Sequence, residues 1–400
     1  MIEFAPRMSR FGASASTLAS ALARKLKAEG RDIISLTAGE PDFPTPENVK
    51  QAAIRAMERE ETKYTNVDGT PALKEAVSAK FKRDNGLDYA PEESIAGTGA
   101  KQIIFNALMA TVGAGDEVIV PVPYWVSYEQ MPKLAGGTPV PVPCPQNNGY
   151  RLLAEDLAAA ITPKTKWLIL NSPNNPTGAT YSRQEMQAIT DVLVAHPQVW
   201  LMTDDIYEFL IYDGREFCTP AQVEPRLYER TLTVNGVSKA YSMTGWRLGF
   251  AGGPAALIKA MTTIQSQSTS GPSSISQAAA VEALSGPQDF LAERQALMQA
   301  RRDAIFEELS QVPEFACHRP EGAMYLFVNC AGMLGRKTPS GTVLETDQDV
   351  TAYFLEAAGV ATVHGGAYGV SPYFRASFAL YTEVLREAGR RLHEACAKLD

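Results

Sequence analysis

The sequence has little with which to build a metal site or a disulfide framework. Its five cysteines, Cys144, Cys218, Cys317, Cys330 and Cys396, are odd in number and scattered, and no two form a CxxC pair. That excludes a zinc ribbon and a small disulfide scaffold and fits a reducing compartment, so a cytoplasmic location is expected. The four histidines show no HExxH or H-x-H spacing; they read as ordinary core or surface residues, and no metal is expected. No stretch approaches the roughly 18 consecutive apolar residues of a membrane span, and MIEFAPRMSRFGASAS lacks the apolar run of a secretory signal. A formal net charge of −8 argues against a nucleic-acid partner and against an anionic membrane surface. It leaves room for an anionic small molecule, because a few buried cations set the local potential of a site. Internal repeats, low-complexity tracts and a Walker A motif are all missing.

What is present is a soluble globular composition, 45% hydrophobic and 20% charged, over 400 residues. This is more chain than one core usually holds, so a large domain with a smaller partner is expected. Through the middle, helical and strand patterns alternate. Residues 101–112 (KQIIFNALMATV) read as a helix, 117–120 (EVIV) and 166–170 (KWLIL) as short buried strands, and 182–195 as a helix. Residues 199–203 (VWLMT), 231–234 (TLTV) and 247–252 (RLGFAG) read as further strands. Short apolar runs separated by helices predict βαβ units and a mainly parallel sheet, whose ligands bind at the carboxyl ends of the strands. After residue 288 the pattern becomes helix, strand (324–328), polar loop, helix, strand (360–363), strand (374–378), helix, which predicts a smaller α+β domain.

Chemistry-bearing residues gather just after the predicted strands. Lys239 follows TLTV and the turn residues Asn235-Gly236; alone it would read as a solvated lysine, but desolvation there would lower its pKa and make it a nucleophile for a carbonyl. Ser238 and Arg247 suit a phosphate dianion. In Thr203-Asp204-Asp205-Ile206-Tyr207, a carboxylate can keep a ring nitrogen protonated and Tyr207 can donate to a phenolate oxygen on the same ring, although a helix-capping Asp pair explains the segment equally well. Asn175 lies in the turn 171–178 (NSPNNPTG), where turn chemistry explains most of the pattern. Gly99, Ala100 and Lys101, in GTGAKQ, open a helix whose backbone N–H groups could cradle a phosphate; Gln102 stands where the third glycine of GxGxxG belongs, which disfavours a nicotinamide-binding reading. Trp125 could stack on a flat cofactor or simply fill a core. Arg375, inside the apolar run YFRASFA, needs a carboxylate partner from protein or substrate.

Together with 38–43 (AGEPDF) and 63–65 (KYT), these segments resemble class I aminotransferases of the fold-type-I pyridoxal-phosphate superfamily, in order and spacing over nearly the whole chain. The branch they are most similar to is that of bacterial aspartate and prephenate aminotransferases, which the loop 334–349 (LGRKTPSGTVLETDQD) also resembles. The resemblance implies a PLP-binding large domain at 49–290, a small domain of 1–48 and 291–400, and pyridoxal 5'-phosphate as cofactor. It implies that Lys239 carries the cofactor and moves the Cα proton, that Asp204 pairs with the ring nitrogen, and that Tyr207 and Asn175 contact the phenolic oxygen. Trp125 would stack on the ring. Ser238, Arg247 and the backbone at Gly99, Ala100 and Lys101 would hold the phosphate. Tyr64 would reach the phosphate of a neighbouring subunit, so a homodimer with shared active sites is implied. Arg375, Asn175 and the Gly39 backbone would bind the α-carboxylate, and Trp125 would border the substrate.

The implied reaction is ping-pong transfer of an amino group from an amino acid, aspartate or glutamate first, to a 2-oxo acid, 2-oxoglutarate or oxaloacetate. Some positions depart from the branch: Gly271 where relatives usually carry Asn, His364 where they often carry Pro or Gln, and an extra residue between Arg10 and Thr17, beside the substrate side chain. Lys101 reads a second carboxylate in the branch, and a solvated lysine is its plain alternative; a cation at a helix start is disfavoured by the dipole, which favours a functional role. Phe11 and Tyr325 leave room for an aromatic or prephenate aminotransferase instead. A lyase of the same superfamily is a further reading. So is a catalytically dead cofactor-binding regulator, which would need an attached DNA-binding module and would tend to lose Lys239 or Asp204.

Overall fold

The short apolar runs become strands of a seven-stranded sheet. In spatial order these are Ser94–Gly97, Gly249–Gly252, Thr231–Gly236, Trp200–Asp204, Thr165–Asn171, Glu117–Val122 and Thr138–Pro143. The five strands from Thr231–Gly236 to Thr138–Pro143 pair in parallel, while Gly249–Gly252 is antiparallel to both of its neighbours. The computed structural model describes residues 2–12 and 15–400. Residues of the central strands are buried almost without interruption, as expected of a parallel sheet covered on both faces. The expected mainly parallel sheet flanked by helices is therefore present.

Helix starts follow their local chemistry. Ser182 caps Arg183–Ala195 in a capping box: its hydroxyl accepts from the Glu185 N–H, and the Glu185 carboxylate accepts from the Ser182 N–H at 2.8 Å. The helix Ala100–Thr111 begins behind Gly99, whose φ of +86° is one that L side chains rarely adopt.

Thr138–Pro143 (TPVPVP) is a strand that the sequence pattern conceals, because three prolines argue against a central strand. It is an edge strand, where proline is tolerated. The N–H groups of Thr138 and Cys144 donate inward to Asp116 and Val122, so the alternate residues Pro139, Pro141 and Pro143 fall on the outer side.

The C-terminal part forms a four-stranded antiparallel sheet in the order Val363–His364, Tyr373–Ser377, Tyr325–Asn329, Ala316–Cys317. Helices Phe290–Ser310 and Thr382–Cys396 pack on each other beside it. The single strand expected over 360–363 divides: Val360–Ala361 pairs in parallel with Ile34–Ser35, and Val363–His364 pairs with Phe374 and Arg375. Ile34 and Leu36 share a core with Met298, Ile305 and Leu392, and Tyr207 and Leu210 from beyond the large sheet join it. The strand expected over 247–252 starts later, at Gly249. Arg247 precedes it in a left-handed conformation, φ 53° and ψ 57°, which turns its side chain out of the strand line.

Candidate active site

Adjacent strands end level with one another. Asn171 lies beside Asp204 in register, and Asp204 beside Val234, so the carboxyl ends of three strands open onto one space. A cavity of about 460 Å³ sits there, bounded by Asp204, Tyr207, Ser238 and Lys239 from beyond the strands and by Asn175 from the 171–178 turn. Ala100, Lys101, Trp125 and Arg247 line another wall, and Gly39 and Arg375 close the side toward the smaller sheet. Two expected residues stand apart. Gly99 lies behind Arg247, where an added Cβ would collide with the guanidinium. Tyr64 is fully exposed and borders a different surface depression.

At the floor, Asp204 is buried. Its Oδ2 accepts from the Tyr128 hydroxyl at 2.6 Å and its Oδ1 from the Ile206 N–H at 3.3 Å, while its carbonyl accepts from Asn171 Nδ2 at 2.8 Å. Burial pushes its carboxyl up to about 6 against the pull of those donors and of Lys239. Asp205, next in sequence, points away into a separate buried network with Thr203 and is pushed up to about 7 by its own burial. This separates two carboxylates that local sequence leaves equivalent.

Across the cavity, Lys239 Nζ donates to the Gly39 carbonyl at 2.5 Å and lies 5.7 Å from the Tyr207 ring centre. Lys101 Nζ sits 4.7 Å over the Trp125 ring. Burial lowers its pKa, and the nearby Arg247 and Lys239 charges lower it further. Arg247 donates to the Thr244 carbonyl at 2.9 Å. Arg375 spends Nη1 on Asn175 Oδ1 at 3.1 Å and Nη2 on the Thr37 carbonyl at 2.5 Å; its buried Nε has no partner among the described residues. Each of these four cations is held by neutral groups while facing the same space. The arrangement is built to receive anionic groups at one end and a cationic or protonated one at Asp204.

Several groups in this wall carry no local signal in the sequence. Tyr128, the partner of Asp204, lies three residues after Trp125, and only the helix turn Ser127–Ala135 brings it back over the strand ends. Asn171 reads in the sequence only as part of a turn, yet its side chain joins Asp204 to the Asn175 N–H at 2.8 Å. Ser16, Ser20 and Arg24, on one side of helix Ala15–Ala28, border the mouth. Ala13 and Ser14, within the divergent stretch from Arg10 to Thr17, lie outside the described residues. Among the described residues no helix is long and apolar enough to cross a membrane, and no group of three or more His, Cys, Asp or Glu could hold a metal ion.

The sequence matches the family model of aminotransferase class I and II over residues 31–392. It is 56% identical to the aspartate/prephenate aminotransferase of Cereibacter sphaeroides over 377 residues, 94% of each chain. The fold is similar to the crystal structure of the aspartate aminotransferase of Rhizobium meliloti, with a TM-score of 0.97 at 55% identity and all of both chains covered. It is also similar to the aspartate aminotransferase of Thermus thermophilus with maleate, with a TM-score of 0.93 at 40% identity over 99% of this chain and 100% of that one.

Proposed function

This chain belongs to the class I and II aminotransferases, and from that premise we propose that it moves the amino group of aspartate or glutamate onto 2-oxoglutarate or oxaloacetate, as a cytoplasmic homodimer with shared active sites. The enzyme is a pyridoxal-phosphate transaminase of fold type I. Its cofactor, when bound, supplies the electron sink that makes the substrate's Cα–H bond acidic. The cavity fits that group. Asp204, a buried carboxylate with no ion pair among the described residues, fits a protonated ring nitrogen. At the other end, the missing Cβ of Gly99 lets the Arg247 guanidinium approach the helix start, which sets a cation beside its N–H groups.

The assignment of roles follows from position. Lys239 would hold the cofactor through Nζ, and the same amine would serve as the base for the substrate's Cα proton. Asp204 would keep the ring nitrogen protonated, and that cation would offset the burial that raises its carboxyl pKa. Tyr207 and Asn175 reach the phenolic oxygen. Ser238, Arg247 and the N–H groups at Gly99, Ala100 and Lys101 bind the phosphate. Trp125 stacks on the ring. The free Nε of Arg375, with Asn175 and the Gly39 backbone, takes the α-carboxylate. Tyr64, fully exposed in one subunit, reaches the phosphate of the other. Residues 49–290 form the PLP-binding domain, and 1–48 with 291–400 form the smaller one.

The observation that carries this reading is that Lys239, Asp204 and Arg375 bound one cavity. Lys101 over Trp125 supports a dicarboxylic substrate, as does the similarity to the Thermus enzyme with maleate, itself a dicarboxylate. Prephenate, which also carries a second carboxylate, is the second reading, and the Cereibacter relative bears that name. The test is a half-reaction screen, in which holoenzyme is mixed with single amino acids while the cofactor absorbance is followed. Conversion by aspartate and glutamate but not phenylalanine is expected; the reverse pattern overturns the dicarboxylate assignment.

A further inference from the structure

Tyr325 is buried in the central region of the small sheet, yet its hydroxyl emerges into the cavity and touches the groups on which the reaction depends. It lies 2.8 Å from the Tyr207 hydroxyl, with the two rings edge-on at 5.9 Å. Its ring is 4.3 Å beneath the Arg375 guanidinium carbon. Its hydroxyl also occupies the place where a side chain at residue 39 would begin: a Cβ on Gly39 would collide with it. The Gly39 carbonyl is in turn the acceptor for Lys239 Nζ.

We infer that Tyr325 is a positioning residue that couples the α-carboxylate clamp at Arg375 to the Tyr207 hydroxyl facing the cofactor, an inference that rests on the site proposed above. A phenol has one proton to give. If Tyr207 spends its proton on the cofactor's phenolic oxygen, the proton between the two tyrosines must come from Tyr325. Chains of this kind polarise one another, so the Tyr325 hydroxyl strengthens Tyr207 as a donor. Burial pushes the Tyr207 phenol well above its ordinary pKa, so Tyr207 stays protonated and acts only as a donor toward the ligand. The Tyr325 ring, meanwhile, supports a guanidinium that has no carboxylate partner among the described residues. One side chain thus carries two separable duties: the hydroxyl acts on proton affinity at the cofactor, and the ring acts on grip for the substrate carboxylate.

The separation gives the test. Wild type, Tyr325→Phe, Tyr325→Leu and Tyr207→Phe are prepared as holoenzymes, and the pH titration of cofactor absorbance is recorded without substrate. Removing a donor from the phenolic oxygen leaves more electron density for the neighbouring cofactor nitrogen, so the midpoint moves up in pH. Tyr207→Phe should give the larger shift, and Tyr325→Phe a smaller one in the same direction, about half a unit, a fraction of what one neutral hydrogen bond is worth. In steady state Tyr325→Phe should keep the wild-type KM for amino acids within about twofold, since the ring remains, whereas Tyr325→Leu should raise it roughly tenfold through loss of the ring beneath the cation. A midpoint unmoved in Tyr325→Phe while Tyr207→Phe shifts it overturns the relay and leaves the site assignment standing. A midpoint unmoved in both removes Tyr207 from the cofactor, and the coupling falls with it. Equal KM values in Tyr325→Phe and Tyr325→Leu overturn the support of Arg375.

Discussion

The Tyr128 hydroxyl donates a 2.6 Å hydrogen bond to Asp204 Oδ2, and among the described residues it is the one side chain that hydrogen-bonds that carboxylate. A neutral phenol cannot replace the hydration of a buried anion, so Asp204 holds its proton up to about pH 6 where an unfolded aspartate would lose it near 3.8. Between those values the native chain binds more protons than the unfolded chain, so the group's contribution to stability falls as pH rises and stays unfavourable above about 6. In cofactor-free protein, Asp204→Asn is expected to raise the melting temperature at pH 8, relieving a penalty of about 3 kcal/mol, with little effect near pH 4. The same variant should lose most of its transaminase activity. An unchanged melting temperature at both pH values would show that the carboxylate is already satisfied.

Lys239→Ala is expected to cut turnover by at least about 10⁴-fold, because nucleophile and base disappear together. Its near neighbour, the Gly39 carbonyl, is a surface the ammonium can leave without opening a core. The variant should therefore fold and still bind pyridoxal phosphate noncovalently, as followed by equilibrium dialysis and absorbance. Substantial residual transamination would mean that another amine does the work.

Arg375→Ala should raise KM for every amino acid roughly a hundredfold, since every amino acid presents the same α-carboxylate to this guanidinium. Arg375→Lys should recover only part of this, because an ammonium cannot reproduce a planar fork already anchored on Asn175 and Thr37. An unchanged KM would remove Arg375 from the carboxylate site.

Lys101→Met keeps the length of the side chain over Trp125 and discards its charge. KM for aspartate should rise about tenfold or more, while KM for phenylalanine stays within about twofold. Equal losses for both substrates would place Lys101 at the cofactor rather than at the second carboxylate.

Gly99→Val should weaken cofactor binding, measured as a raised Kd for pyridoxal phosphate. A side chain there both meets the Arg247 guanidinium and must hold a φ of +86°. Full retention of affinity would show that the phosphate lies elsewhere.

The order of strands and the residues that follow them are legible in the sequence because periodicity and position along the chain are local properties. Asp204 can be placed at a strand end from VWLMTDD, yet nothing local distinguishes it from Asp205; the distinction comes from Tyr128 on one side and Thr203 on the other. Arg247 reads as part of a strand because RLGFAG is apolar enough, and only its left-handed backbone reveals the turn. The TPVPVP strand is hidden by a rule that holds for sheet interiors and relaxes at margins. Tyr325 reads as a substrate-side aromatic. Its contacts with Tyr207 and Arg375 join segments separated by 118 residues in one case and by register across the small sheet in the other.

The prolines of Thr138–Pro143 have a consequence for solubility. With its N–H groups at Thr138 and Cys144 turned inward, the strand presents Pro139, Pro141 and Pro143 outward, and these residues have no amide hydrogen to offer. A passing β-segment from another molecule would find carbonyls without matching donors and could not add itself to the ladder. The margin is thus closed to polymerisation by covalent structure, without charge. Restoring those hydrogens by changing the three prolines to valine would create the adhesive edge that the native sequence withholds.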